Sequence, residues 1–160
     1  MESGYKKRRL GTRKECKVFV IVCEGETERI YFNRFRKRGC GLIIKTPNTT
    51  STDPIGLVNF AKSQIQRYDL DLEEGDKIWC VFDANGNTDQ ILSEATSLAG
   101  KEINIALSNP SFEIWYLLHF TYSSSGFDNQ TLMDTLKRYI QNYEKVGDYF
   151  EILTKKRESA

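Results

Sequence analysis

Four short apolar runs, at 17–23, 41–46, 77–82 and 102–107, punctuate this chain at intervals that each leave room for about one helix. Runs such as Val18-Phe19-Val20-Ile21-Val22 lack the polar alternation of a half-exposed strand, so they predict strands buried on both faces. Parallel strands need crossover connections, and the segments between these runs supply them. The spacing predicts a helix over 26–37 with Ile30, Tyr31 and Phe35 facing inward. A second spans 54–68, opened by Pro54, with Leu57, Phe60, Ala61 and Ile65 as its apolar stripe, and a third spans 90–99. The expected class is α/β, a central and mostly parallel sheet of about four strands flanked by helices. Beyond Leu107 the pattern is helical, over 110–120 and 130–143, with a Ser/Gly-rich loop at 123–126 between them. The charged tail from Glu151 to Ala160 shows no closing element, so the chain is expected to fray there or to stop short of a natural end.

A length of 160 residues fits one domain, expected over 16–160 behind a basic arm at 1–15. The 23 Lys+Arg and 22 Asp+Glu nearly cancel, so total charge does not imply nucleic acid, but its distribution is uneven. Lys6, Lys7, Arg8 and Arg9 form one basic cluster, and Arg29 and Arg34 belong to another along the first predicted helix. Both are candidate phosphate contacts, and both are also ordinary solvated surface. No apolar run is long enough to cross a bilayer and no secretory signal is visible, so a cytoplasmic location is expected. The cysteines, at 16, 23, 40 and 80, lack paired metal-ligand spacing. His119 is the only histidine, which excludes paired-histidine ribonuclease and HExxH zinc chemistry.

Acidic residues gather at the predicted strand ends. Glu24, Glu26 and Glu28 follow the first strand, Asp83 ends the third, and Glu113 lies just beyond the fourth. Strands of a parallel sheet share direction, so these groups are placed at one edge, where open α/β sheets bind ligands. Glu24 and Glu28 can share a side across the strand-to-helix turn, whereas Glu26 is expected to point elsewhere. Close carboxylates repel unless a cation or shared proton relieves them, and hard oxygen donors suit Mg²⁺ or Mn²⁺. Helix-start electrostatics accounts for the same acids without a metal. Asn85 can join Asp83 on one side of the turn after the third strand, as a neutral oxygen donor or in an ordinary Asx turn. Glu113, among bulky apolar neighbours, needs a metal or a positive partner. His119 fits either a general base or a structural hydrogen bond.

The stretches Cys-Glu-Gly-Glu-Thr-Glu-Arg-Ile-Tyr-Phe at 23–32, Val-Phe-Asp at 81–83 and Ser-Asn-Pro-Ser-Phe-Glu-Ile-Trp-Tyr-Leu-Leu-His-Phe at 108–120 resemble the RloB family over roughly residues 15–150. That family accompanies bacterial restriction and abortive-infection loci and is similar to Toprim domains, including the nucleases of the OLD family. The resemblance implies a Toprim-like fold using Mg²⁺ or Mn²⁺ to cut nucleic-acid phosphodiesters. It implies Glu24 as a metal ligand or general acid/base, Glu28 as a metal ligand, and Asp83 as the first aspartate of a DxD motif. Ser111 and Glu113 correspond to a Ser-x-Glu pair that completes the metal site. Asn85 stands at the second DxD position, a departure that weighs against full two-metal activity, and the late lysine of OLD-type enzymes has no assignable counterpart.

The expectation is therefore a Mg²⁺-dependent nuclease of an anti-phage system. Its catalytic residues are Glu24, Asp83 and Glu113, with Glu28, Asn85 and Ser111 as further ligands. The alternative is an adaptor with a weakened metal site that binds nucleic acid or a partner ATPase. Strand joining or primer synthesis lacks a visible second domain. Expected partners are DNA or RNA, an ATPase of the same locus and further copies of the chain, with no membrane.

Overall fold

The computed structural model describes residues 16–36, 41–123 and 126–158. Strands β1 (Lys17–Cys23), β2 (Leu42–Lys45), β3 (Lys77–Asp83) and β4 (Ile103–Ser108) form a sheet in the order β2-β1-β3-β4, and every neighbouring pair is parallel. Helices α1 (Glu26–Asn33), α2 (Pro54–Arg67) and α3 (Asp89–Ala99) make the connections. The class is α/β with a parallel sheet. Helices α4 (Glu113–Leu117), α5 (Asn129–Lys137) and α6 (Phe150–Glu158) follow.

Successive residues of a strand point to opposite faces, and β1 shows why its apolar run is unbroken. Val20 and Val22 pack with Leu57, Val58 and Ala61 of α2 and Ala95 and Ala99 of α3. Ile21 and Cys23 face the other way, into a cluster with Tyr31, Tyr116, Leu117, Leu132, Leu136 and Leu153. Both faces are therefore core, each fully buried Val or Leu contributing about 1.5–3 kcal/mol. Local chemistry starts the helices. Asp53 accepts the Gly56 N–H at 2.8 Å ahead of Pro54, and Asp128 accepts the Thr131 N–H at 2.7 Å ahead of α5. Among the described residues no helix is long and apolar enough to cross a membrane.

The helical expectations need four corrections. Helix α1 ends at Asn33, because the N–H groups of Arg34, Phe35 and Arg36 turn to carbonyls one turn back in tighter geometry; Lys37 lies outside the described residues. Its inner face carries Tyr31 with Phe32 and Phe35, and Ile30 joins neither core cluster. The helix expected over 110–120 is confined to Glu113–Leu117, since Ile114 and Trp115 bond to Ser111 and Phe112 in tight turns. That expected over 130–143 ends at Lys137, and Asn142 further on has a φ of 57°.

The described part of the tail is helical, and α6 docks on the core. In α6, Leu153 is 1% exposed, and Phe150 meets Phe35 edge-on with ring centroids 4.8 Å apart. Arg34 reinforces this docking, reaching Asp148 at 3.4 Å and Glu151 at 3.2 Å with its guanidinium over the Phe150 ring. Phe150 and Leu153 share one helix face, but two apolar residues among charges are too few to show a period.

Candidate metal centre

The chain leaves β1 for β2 on one side and reaches β3 on the other, so the crevice between β1 and β3 is the point where strand order reverses. Both strands end there. Glu24 is the first residue after β1, and its N–H donates to the Val81 carbonyl at 2.9 Å. Its carboxylate then accepts the Asp83 N–H at 3.0 Å, joining the ends of β1 and β3. Beyond Asp83 the turn is tied to the segment entering α4: the Ala84 N–H donates to Ser108 O at 2.7 Å and the Asn85 N–H to Pro110 O at 3.2 Å. That segment carries Ser111 and Glu113, both nearly inaccessible.

Glu28 enters from α1. The helix has Gly25 at its N-cap and no side chain capping it; the Glu28 carboxylate instead folds back beside Gly25. A Cβ at Gly25 would lie 2.6 Å from Glu28 Oε2. Gly25 has a φ of −115°, open to any residue, so glycine serves here to make space rather than to permit the backbone turn. Glu26 points away as expected, its carboxylate held by Arg29 with Nε to Oε2 at 2.8 Å.

The segment between α5 and α6 closes the site. The Tyr143 hydroxyl donates to Glu113 Oε1 at 3.2 Å, and Lys145 Nζ stands 3.8 Å from the same oxygen. The Val146 N–H donates to Thr27 Oγ1 at 3.4 Å. Tyr143 and Lys145 carried no sequence signal, for they belong to no acidic motif and lie in an irregular stretch, whereas Thr27 sits inside the acidic run that follows β1.

The electrostatics follow from burial and crowding. Loss of water pushes the Glu28 carboxyl up to about 7, with the charges of Glu113 and Glu24 adding to the effect. Asp83 is likewise pushed up to about 7, first by burial and then by Glu28, Glu24 and Glu113. Lys145 opposes both shifts. Burial, followed by the Glu113 charge, raises the Tyr143 phenol, which keeps it a hydrogen-bond donor.

These residues fit a hard divalent cation on their donor chemistry. The side-chain oxygens Asp83 Oδ1 and Ser111 Oγ are buried with no hydrogen-bond partner, an arrangement costly to leave unrelieved. Among the described residues, no three acidic, His or Cys groups are already drawn into a ligand cluster. The carboxylates are thus within electrostatic reach of one another, and a bound ion would have to draw them closer.

A family model for RloB-like proteins matches residues 19–159. The chain belongs to the RloB-like protein family. No curated protein and no solved structure matches it. The matched stretch of this RloB-like protein runs from β1 into α6 and includes every acidic residue of the crevice, with Tyr143 and Lys145.

Within the RloB-like chain the crevice gathers Glu24, Glu28, Asp83 and Glu113, with Ser111 at the turn that carries Glu113. Asn85 is exposed in the turn after β3, and its backbone holds the turn in place. Arg29 and Arg34 are engaged in the ion pairs with Glu26, Asp148 and Glu151 described above. Lys6, Lys7, Arg8 and Arg9 lie outside the described residues. His119 meets the Trp115 carbonyl through Nδ1 at 2.8 Å, a structural bond within its own helical segment.

Proposed function

We propose that this RloB-like protein is a Toprim-like, Mg²⁺- or Mn²⁺-dependent nuclease acting in anti-phage defence. The observation that carries the proposal is the Glu24–Asp83 bond at the strand-order reversal, with buried Glu28 and Glu113 crowded against it and Asp83 Oδ1 and Ser111 Oγ left without partners. Family membership supports it. Glu24, Glu28, Asp83 and Glu113, with the Ser111 hydroxyl, would hold the cation. When bound, the cation supplies Lewis acidity toward a phosphodiester oxygen and an oriented water.

The remaining work falls to the chain itself. The Asp83 N–H fixes the Glu24 carboxylate, and the Tyr143 hydroxyl fixes that of Glu113, so neither must be ordered when a ligand arrives. Gly25 gives the Glu28 carboxylate room at the start of α1. Lys145 holds positive charge at the mouth of the crevice, suited to an incoming anion.

The test compares purified wild type, Glu24→Ala and Asp83→Ala on labelled DNA and RNA with Mg²⁺ or Mn²⁺. Cutting by the wild type and its loss in both folded variants is expected. Equal cutting by both variants rejects the assignment. Salt-dependent binding that leaves the strand intact, even with Mn²⁺, assigns the protein to the adaptor class instead.

A further inference from the structure

Residues 144–147 form a largely exposed strap across the acidic crevice, held between Tyr143, which is packed in the core cluster, and Asp148, which pairs with Arg34 at 3.4 Å. It touches the crevice through the Lys145 contact to Glu113 and the Val146 contact to Thr27. It is clipped on itself: the Glu144 N–H donates to the Tyr149 hydroxyl at 2.8 Å, and that hydroxyl donates back to Glu144 O at 3.2 Å. Its backbone is strained. Val146 has a φ of 71°, a left-handed conformation that a β-branched residue adopts only under constraint from its surroundings.

The Lys145–Glu113 pair is lopsided. The Glu113 side chain is 3% exposed and cannot be left as a bare anion cheaply, whereas the Lys145 side chain is 67% exposed and loses little by returning to water. A divalent cation held by Glu113 would satisfy the carboxylate and repel the ammonium from the same oxygen. The two positive charges therefore compete for one place.

We propose that Lys145 is a stand-in for the divalent cation at Glu113, and that cation binding displaces it and releases the strap 144–147 while Tyr143 keeps its hydrogen bond to Glu113. This rests on the metal reading above and adds a regulatory step to it: Lys145 and the cation exclude one another at Glu113, and release turns Lys145 from the carboxylates toward the solvent side. A lysine fixed in place to contact substrate would instead stay put when the cation binds.

The experiment titrates the full chain with Mn²⁺ by calorimetry, comparing wild type, Lys145→Gln and Glu24→Ala, and follows amide hydrogen exchange over residues 144–147 with and without Mn²⁺. Removing a nearby competing charge at a largely solvated position should tighten Mn²⁺ binding about fivefold in Lys145→Gln. Exchange in the wild-type strap should rise on adding Mn²⁺. Unchanged or weaker affinity in Lys145→Gln, or a strap that becomes more protected with Mn²⁺, overturns the stand-in role. If the wild type binds Mn²⁺ and Glu24→Ala does not, the metal reading stands whatever Lys145→Gln shows. If the wild type binds no Mn²⁺, both fall together.

Discussion

Replacing Glu28 with glutamine isolates the electrostatics of the crevice in the absence of any metal. Glu28 is 4% exposed, and burial with neighbouring charge lifts its carboxyl from 4.5 to about 7. Because the folded pKa lies above the unfolded one, the native state binds the proton more tightly. Below about pH 4.5 both states are protonated and nothing is lost. Between about 4.5 and 7 the unfolded chain ionises while the native protein keeps its proton, so wild-type stability falls as pH rises; above 7 the loss is complete. A displacement of this size corresponds to roughly 3 kcal/mol. Glutamine has no proton to lose and keeps a similar shape. Glu28→Gln should therefore gain on the wild type by up to roughly 3 kcal/mol between pH 4 and pH 8. Asp83 contributes its own pH dependence in both proteins, and because the Glu28 charge helps raise Asp83, the variant also relieves Asp83, so the difference between them still grows with pH. Urea unfolding followed by tryptophan fluorescence, in EDTA at several pH values, provides it. A stability difference that stays flat across this range would refute the argument that burial and crowding hold Glu28 near neutrality.

Two further predictions probe the supports of the site. Gly25→Ala should push the Glu28 carboxylate out of its place at the start of α1, leaving the fold intact by circular dichroism while weakening Mn²⁺ binding about tenfold or more, as misplacing a ligand typically does. Unchanged affinity would show that the carboxylate has another stable place. Leu153→Ala should destabilise the protein by about 2–5 kcal/mol in urea, since the side chain is 1% exposed and packed in the core cluster on the α1 side of the sheet. A change under about 0.5 kcal/mol, within the range of surface substitutions, would mean that α6 is not part of the core.

The strands were readable because a doubly buried parallel strand needs only a local apolar run, and 17–23 coincides with β1. Glu24 and Asp83 were readable for a related reason: shared strand direction places successive strand ends on one edge. The aromatic helix carrying Glu113 was recognisable as a motif, yet its length was overestimated, because the turns at Ser111 and Phe112 depend on how the segment meets β3. The partners of the acids were not legible. Tyr143 and Lys145 sit in a stretch without periodicity, and they meet Glu113 through a contact spanning 30 residues in the Tyr143 case. Arg34, which charge clustering marks as a phosphate contact, is drawn to Asp148 and Glu151 by the docking of α6.

The amino-acid sequence alone determined the α/β alternation, the direction of the strands and hence the edge at which the acids collect, because hydrophobic period and crossover chirality act over a few residues at a time. Tertiary structure decided which acids are buried, which oxygens lack partners and which cation stands over Glu113. Those outcomes depend on how water is excluded between elements far apart in the chain, and no local pattern encodes that exclusion.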